Sequence, residues 1–231
     1  VSAPAAPTSI PVGTFDSATG KIPTPWHAVQ LDTKVGAVEF RVREWDQVQA
    51  LEAVSSNAMS LLTRPITIDL KATPILCWRW RVDAPLVKAD MREKSGDDYA
   101  ARVYLGFTAP DISMGLLERT KVFMARRTLG ENVPDIALNY VWDNRHPVGA
   151  HSSSPYTNRT HMFVLRSGAT EAAKWVTERR DVLEDLQAAF GTIDAKTALL
   201  AVTSDTDNTH ETAHAGFADL HFVARSQPCD F

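Results

Sequence analysis

Three stretches of this sequence carry residue types whose spacing suits chemistry. Asp205-Thr206-Asp207-Asn208 places two carboxylates and an amide in one short run. Alternate acidic side chains can fold back around a hard cation such as Ca2+, so Asp205, Asp207 and Asn208 are the candidate metal ligands. The same residue types cap turns by bonding their own backbone, which is the competing reading. No Gly and Glu follow at the positions an EF-hand needs. His210-Glu211-Thr212-Ala213-His214 matches His-Glu-x-x-His. That motif holds zinc when both histidines share a helical face and the glutamate activates the bound water. Loop formers precede it here and a strand pattern comes after it, so a zinc hydrolase is the weakest functional reading. The third stretch is Gly96-Asp97-Asp98 ahead of a strand bearing Arg102, together with Arg179-Arg180-Asp181 ahead of a helix. Such groups either pin loops through bidentate pairs or bind sugar hydroxyls and uronates. Acidic pairs from the Asp97-Asp98 and Asp205–Asp207 loops would cleave glycosides only at a suitable carboxylate separation.

Aromatic residues decide which ligand those groups would serve. Trp142 precedes the polar loop Asp143-Asn144-Arg145-His146-Pro147, and Tyr156 and Asn158 lie in the next one. An apolar ring flanked by amides and hydroxyls is the composition of a sugar platform. The expected ligand face therefore holds Trp142, Tyr156, Asn139 and Asn158, with Arg102, Asp98 and Arg180 supplying charged hydrogen bonds. Trp78 and Trp80 alternate with Arg79 and share a face with Leu76 and Val82, so they are expected in the core.

The elements that must position these residues are strands. Val38, Phe40 and Val42 alternate with Glu39, Arg41 and Arg43, and Ile66–Leu70 and Leu76–Val82 alternate in the same way. Ala100–Phe107, Ile136–Trp142, His161–Leu165, Thr197–Thr203 and Ala213–Val223 are further strands, punctuated by Gly, Pro, Asn and Asp. One helix breaks the pattern. Asp181 supplies an N-cap with Glu184 three residues on, Leu183, Leu186, Ala189 and Phe190 fall at helical spacing, and Gly191 stops it. The expectation is an all-β, two-sheet antiparallel β-sandwich with one short helix. Residues 1–25 read as a Pro/Ala-rich tail, and 26–231 as a single β-sandwich domain.

Composition narrows the function classes. The 231 residues are 44% hydrophobic and 23% charged, which is ordinary for a folded chain. Against 28 acidic residues stand 24 dispersed basic ones, so no concentrated basic face for nucleic acid is expected. No apolar run approaches the roughly 18 residues of a membrane span. The small, Pro-rich opening Val1–Pro7 resembles a mature N-terminus exposed by removal of a signal peptide, which predicts a periplasmic or secreted protein. In such a compartment Cys77 and Cys229 form one bridge; the alternative is a buried Cys77 and an exposed tail thiol.

The motifs also carry a resemblance. Leu76–Val82 with its Trp-x-Trp core, Gly96–Tyr104, Leu138–Trp142, Ser167-Gly168 with Trp175, Glu178–Val182 with Asp185, and Ser204–Thr209 occur in order. This ordered set is similar to that of a bacterial exported family known as domain of unknown function 3047. The resemblance implies a jelly-roll-like sandwich, an architecture that often binds glycans, and it implies no assigned activity. The expected function is thus binding of a carbohydrate or related polar polymer. A glycan-cleaving enzyme is the alternative, and a structural Ca2+ is the one cofactor suggested.

Overall fold

The computed structural model describes residues 9–110, 112 and 133–231. The opening Val1–Pro7 lies outside the described residues. In chain order the strands are β1 (Ile10–Gly13), β2 (His27–Val29), β3 (Glu39–Trp45), β4 (Val48–Ser56), β5 (Leu61–Pro65), β6 (Ile75–Val82) and β7 (Tyr99–Thr108). They continue with β8 (Ile136–Asp143), β9 (His151–Ser154), β10 (Thr157–Ser167), β11 (Val176–Asp181), β12 (Lys196–Asp205) and β13 (Thr212–Val223), and helix α1 (Val182–Phe190) lies between β11 and β12. One sheet has the order β11-β6-β13-β4-β3, with β1 also on β13; the other runs β2-β5-β12-β7-β8-β10-β9. The chain passes repeatedly from one sheet to the other, so the two sheets share a single layer of buried side chains. Among the described residues, the all-β sandwich with one α-helix is therefore what forms.

Alternation explains the core. Trp78 and Trp80 point inward from β6, and Tyr140 and Trp142 meet them from β8, with ring centroids 5.5 Å apart for Trp78–Tyr140 and 5.8 Å for Trp80–Trp142. All four are essentially inaccessible. Trp80 Nε1 donates to Glu178 Oε1 at 2.9 Å, and Trp142 Nε1 donates to the Gly168 carbonyl at 3.1 Å. These two buried indoles thus keep their polar ends satisfied while contributing large apolar area.

Three details depart from the sequence reading. First, the presumed tail contains β1. β13 is long, and β4 pairs only with its Thr212–Phe217 half, so β1 takes the remaining edge at Phe222, His221 and Leu220. Gly13 permits this approach, since a Cβ there would lie 2.5 Å from Leu220 Cδ1. Second, Ile66–Leu70 is not a strand, although Ile66, Ile68 and Leu70 are buried. The Thr197 hydroxyl replaces the ladder there, accepting from Ile68 N at 2.7 Å and donating to Ile68 O at 3.3 Å. Third, the pairing of β10 with β8 is parallel. β10 inserts between β8 and β9, and the two chain reversals on the way leave it parallel to β8.

Helix α1 starts where expected. Asp181 Oδ1 accepts from Glu184 N at 3.1 Å, while Arg225 Nε pairs with Asp181 Oδ2 at 2.6 Å. Asp181→Ala should lower stability by about 0.5–2 kcal/mol through the lost cap, measured by denaturant melts. An unchanged midpoint would show that the cap contributes nothing. Among the described residues no helix is long and apolar enough to cross a membrane.

Candidate functional site

The acidic loops converge at one end of the sandwich. Asp97 and Asp98 leave a short 3-10 turn, Lys94–Gly96, and lead into β7. A Cβ on Gly96 would lie 2.7 Å from the Asp90 amide nitrogen, so the close turn requires glycine. Asp205 ends β12 beside the start of β7, where a bulge shifts the register between Thr203 and Asp205. Bulges re-aim side chains, and this one brings Asp205 to Arg102. The next turn is pinned from below. Thr206 is fully buried, and its hydroxyl bonds with Ser55 Oγ at 2.8 Å and accepts from Ala58 N at 3.2 Å.

Arg102 is the centre of the cluster. Its guanidinium is buried, with Nη2 donating to Asp97 Oδ1 at 2.6 Å and Nε lying 3.0 Å from Asp205 Oδ1. Nη1 donates to the Tyr104 hydroxyl, and the group sits 4.4 Å from the Tyr99 ring centroid. Burial opposes the charge on Arg102, but the neighbouring carboxyls of Asp205 and Asp97 outweigh it and hold the group charged. Asp98 forms a second knot. Its Oδ1 accepts from Asn208 Nδ2 at 2.9 Å, and its Oδ2 accepts from Thr209 N and Oγ1 at 2.7 and 2.8 Å. Burial raises the Asp205 carboxyl well above its usual range, and Asp98 and Asp97 add to the rise despite Arg102. Asp207 is raised for the same reasons, burial first and the neighbouring Asp98 next.

Above this cluster lies a cleft of about 360 Å³ lined by Leu31, Val35, Met59, Tyr104 and Tyr156, with Asp97, Arg102, Asp205, Asp207 and Asn208 at its polar side and the exposed Asp32 on the loop opposite. Tyr156 stands at the turn between β9 and β10 and is 56% exposed. Its hydroxyl reaches Asn208 Oδ1 at 2.7 Å and the Lys94 carbonyl at 3.1 Å, which fixes the ring against the cleft. Carboxylate oxygens of Asp98, Asp205 and Asp207 lie within 4.8 Å of one another. A hard cation would find those three oxygens, whereas the Asn208 carbonyl is turned to Tyr156.

The remaining expected ligand residues lie elsewhere. Trp142 is 1% exposed and belongs to the core, because it shares the inward parity of Leu138 and Tyr140. Asn139 is also fully buried, and neither atom of its side-chain amide has a hydrogen-bond partner among the described residues. It faces away from the core beside Tyr104, its register partner on β7. Arg180 lines a different cleft with His151, Phe163, Arg166 and Glu178, and its fork is closed on Asp185. Asn158 is exposed on β10 and does not line the Tyr156 cleft. The His-Glu-x-x-His match is not helical. His210 sits in a turn at φ 56° against Asn57. His214, on β13, bonds Asp83 Oδ2 at 2.6 Å and Glu52 Oε1 at 2.8 Å. Glu211 accepts from the backbone amides of Val87 and Lys88. The three residues serve three separate tasks.

Sequence reasoning missed Tyr104, Leu31, Val35 and Met59. Tyr104 had a signal, since it lies two residues after Arg102 on one strand and so shares its face. The loop residues Leu31 and Val35 had none, because only the tertiary fold carries them to the cleft.

The profile of a family described as "Protein of unknown function (DUF3047)" matches residues 24–221. The chain belongs to the DUF3047 family. The acidic end of this DUF3047 protein lies within the matched stretch. No curated protein matches the sequence. Among solved structures, the family 11 carbohydrate-binding module of the cellulosomal cellulase Lic26A-Cel5E of Clostridium thermocellum is similar at 7% identity. The match covers 91% of this chain and 93% of that one, with a TM-score of 0.42. A metagenome-derived glycoside hydrolase family 12 endoglucanase is 12% identical, with coverage of 87% and 96% and a TM-score of 0.42. The xyloglucanase domain of NopAA, a type three effector from Sinorhizobium fredii, is 7% identical, with coverage of 89% and 100% and a TM-score of 0.41.

Proposed function

We propose that this protein is an exported carbohydrate-binding sandwich whose ligand lies in the Tyr156 cleft. The observation that carries the reading is the exposed Tyr156 ring, fixed by its hydroxyl, next to the half-buried carboxylate of Asp207. An apolar ring and a few fixed polar groups in a concave site suit the two faces of a sugar. Asp32, Asp97, Asp205 and Asp207 line the cleft, and the guanidinium of Arg102 is already closed on Asp97 and Asp205, so a neutral sugar fits better than a uronate, which finds no open cation among the lining residues. Export is supported by the disulfide between Cys77 and Cys229, the chemistry of an oxidising compartment.

Binding is favoured over cleavage. Asp97, Asp98 and Asp205 are buried and already bonded within the protein, through Arg102 and Ser154, through Asn208 and Thr209, and through Tyr99 N and Arg102 respectively. Glycosidases need two carboxyl groups that both reach the substrate. Of the carboxylates of Asp97, Asp98, Asp205 and Asp207 only Asp207 is not buried, and Asn208 and Asp98 bond with it; Asp32, exposed on the loop side of the cleft, has no buried partner carboxyl beside it that is open to substrate.

Titration calorimetry against neutral oligosaccharides and oligouronates tests the reading. Saturable binding of a neutral sugar is expected, with unchanged chain length afterwards, and Tyr156→Ala should weaken it roughly tenfold, or about 1.4 kcal/mol. Equal binding by Tyr156→Ala, or none by the wild type, would remove the cleft as the site. A second reading puts Ca2+ at Asp98, Asp205 and Asp207, favoured by carboxylate oxygens that lie within 4.8 Å of one another. A chelator should then lower the melting temperature, because an ion bound only to the native state stabilises it.

A further inference from the structure

At the opposite edge of the β6–β13 pairing lies a second cluster of metal-ligating side chains. Cys77 on β6 is the register partner of His221 on β13, and Cys229 in the C-terminal tail is bonded to Cys77. Ligand atoms of Cys77, His221 and Cys229 lie within 4.8 Å of one another. We propose that reduction of this disulfide converts the three residues into a Zn2+ site.

The imidazole supports the assignment independently of the sulfurs. His221 is 6% exposed, and its Nδ1 lies 2.6 Å from the Asp219 carbonyl. A carbonyl only accepts, so Nδ1 carries the proton and Nε2 holds a lone pair. That Nε2 is buried and has no hydrogen-bond partner among the described residues. A buried ring nitrogen with its tautomer fixed through the other nitrogen is how metal-binding histidines are held. The surroundings are largely apolar, with Ile75 and Val223 packed against the cysteines and the Phe231 ring 5.7 Å from the imidazole, while the Cys229 side stays half-open to solvent. Two thiolates and an imidazole select a borderline-soft ion and leave a fourth position for water. The Cα atoms of the cysteines are 5.8 Å apart, and Cys229 stands on the tail beyond β13, where small movements are cheap. Two sulfurs on one tetrahedral zinc need roughly 3.8 Å between them, which a tail shift of about 2 Å provides.

Electrons and protons balance. The disulfide accepts two electrons and two protons from a dithiol donor, which leaves as its own disulfide. Zn2+ then displaces the two thiol protons to solvent. The inference stands apart from the sugar reading, because its residues share none of the Tyr156 cleft.

The test uses the full chain, reduced by a trialkylphosphine that is itself oxidised to the phosphine oxide with water supplying oxygen and protons. After gel filtration the reduced protein should retain about one Zn2+ per chain and the disulfide form none. The Co2+ derivative should show an intense sulfur-to-metal charge-transfer band that Cys229→Ser removes. His221→Gln should weaken Zn2+ binding at least roughly tenfold. Reduced protein without stoichiometric metal, or His221→Gln with wild-type affinity, overturns the proposal. Should reduction alone unfold the chain, Zn2+ must restore the native circular dichroism spectrum; failure to restore it also counts against the site.

Discussion

Arg102→Ala should cost the protein roughly 3–5 kcal/mol, enough to abolish folding in a domain of ordinary stability. The loss comes from the charges that the substitution leaves behind. Asp97 and Asp205 are buried, and the guanidinium is the cation in contact with both. An uncompensated buried charge is expensive, and the guanidinium offsets part of that desolvation cost while it is present. The effect should also depend on pH, with a sign set by the carboxyls. Asp205 and Asp207 are both raised from the ordinary value of 3.8. The native state therefore keeps protons that the unfolded chain has released, so their contribution is complete below 3.8 and is lost as pH rises through the native values. Without Arg102 those native values rise further, and protonation relieves the stranded charge. The deficit of Arg102→Ala should accordingly be smaller at about pH 5 than at about pH 8. Chemical denaturation at both pH values measures it. A pH-independent deficit would mean that lost packing, not stranded charge, is the cause.

How much of this was legible in sequence depends on the range of the physics. Asp181 capping α1 is local, and its spacing to Glu184 and Leu186 was sufficient. The inward parity of Trp78 and Trp80 comes from the two-residue period of a strand, which needs no partner to be known. Convergence of Asp98, Arg102, Asp205 and Tyr156 needed the β7–β12 pairing and the β9–β10 turn, which no local pattern specifies. Ile66–Leu70 shows the limit of periodicity. Its alternation reports burial correctly, but a threonine side chain rather than a strand completes the hydrogen bonds. Arg180 has a similar lesson, since its fork closes on Asp185 just five residues away, across the helix cap.

Trp142 and Tyr156 give the sharpest contrast, because both were expected on one sugar-binding face. Leu138, Tyr140 and Trp142 alternate just as Trp78 and Trp80 do, so the parity already pointed Trp142 inward. The polar loop after it suggested exposure, but the indole is sealed against Trp80 and bonded to the Gly168 carbonyl. Trp142→Ala should therefore destabilise the protein by about 3–5 kcal/mol, through lost burial and the cavity left between the sheets. Tyr156→Ala removes a ring that is 56% exposed and should leave the melting temperature nearly unchanged. Sugar affinity should respond the other way round. Trp142→Ala, studied well below its melting point, should bind as the wild type does, while Tyr156→Ala loses affinity. A Trp142→Ala protein that stays stable but no longer binds would return that residue to the site, and would require the β8 end of the sandwich to open when ligand arrives.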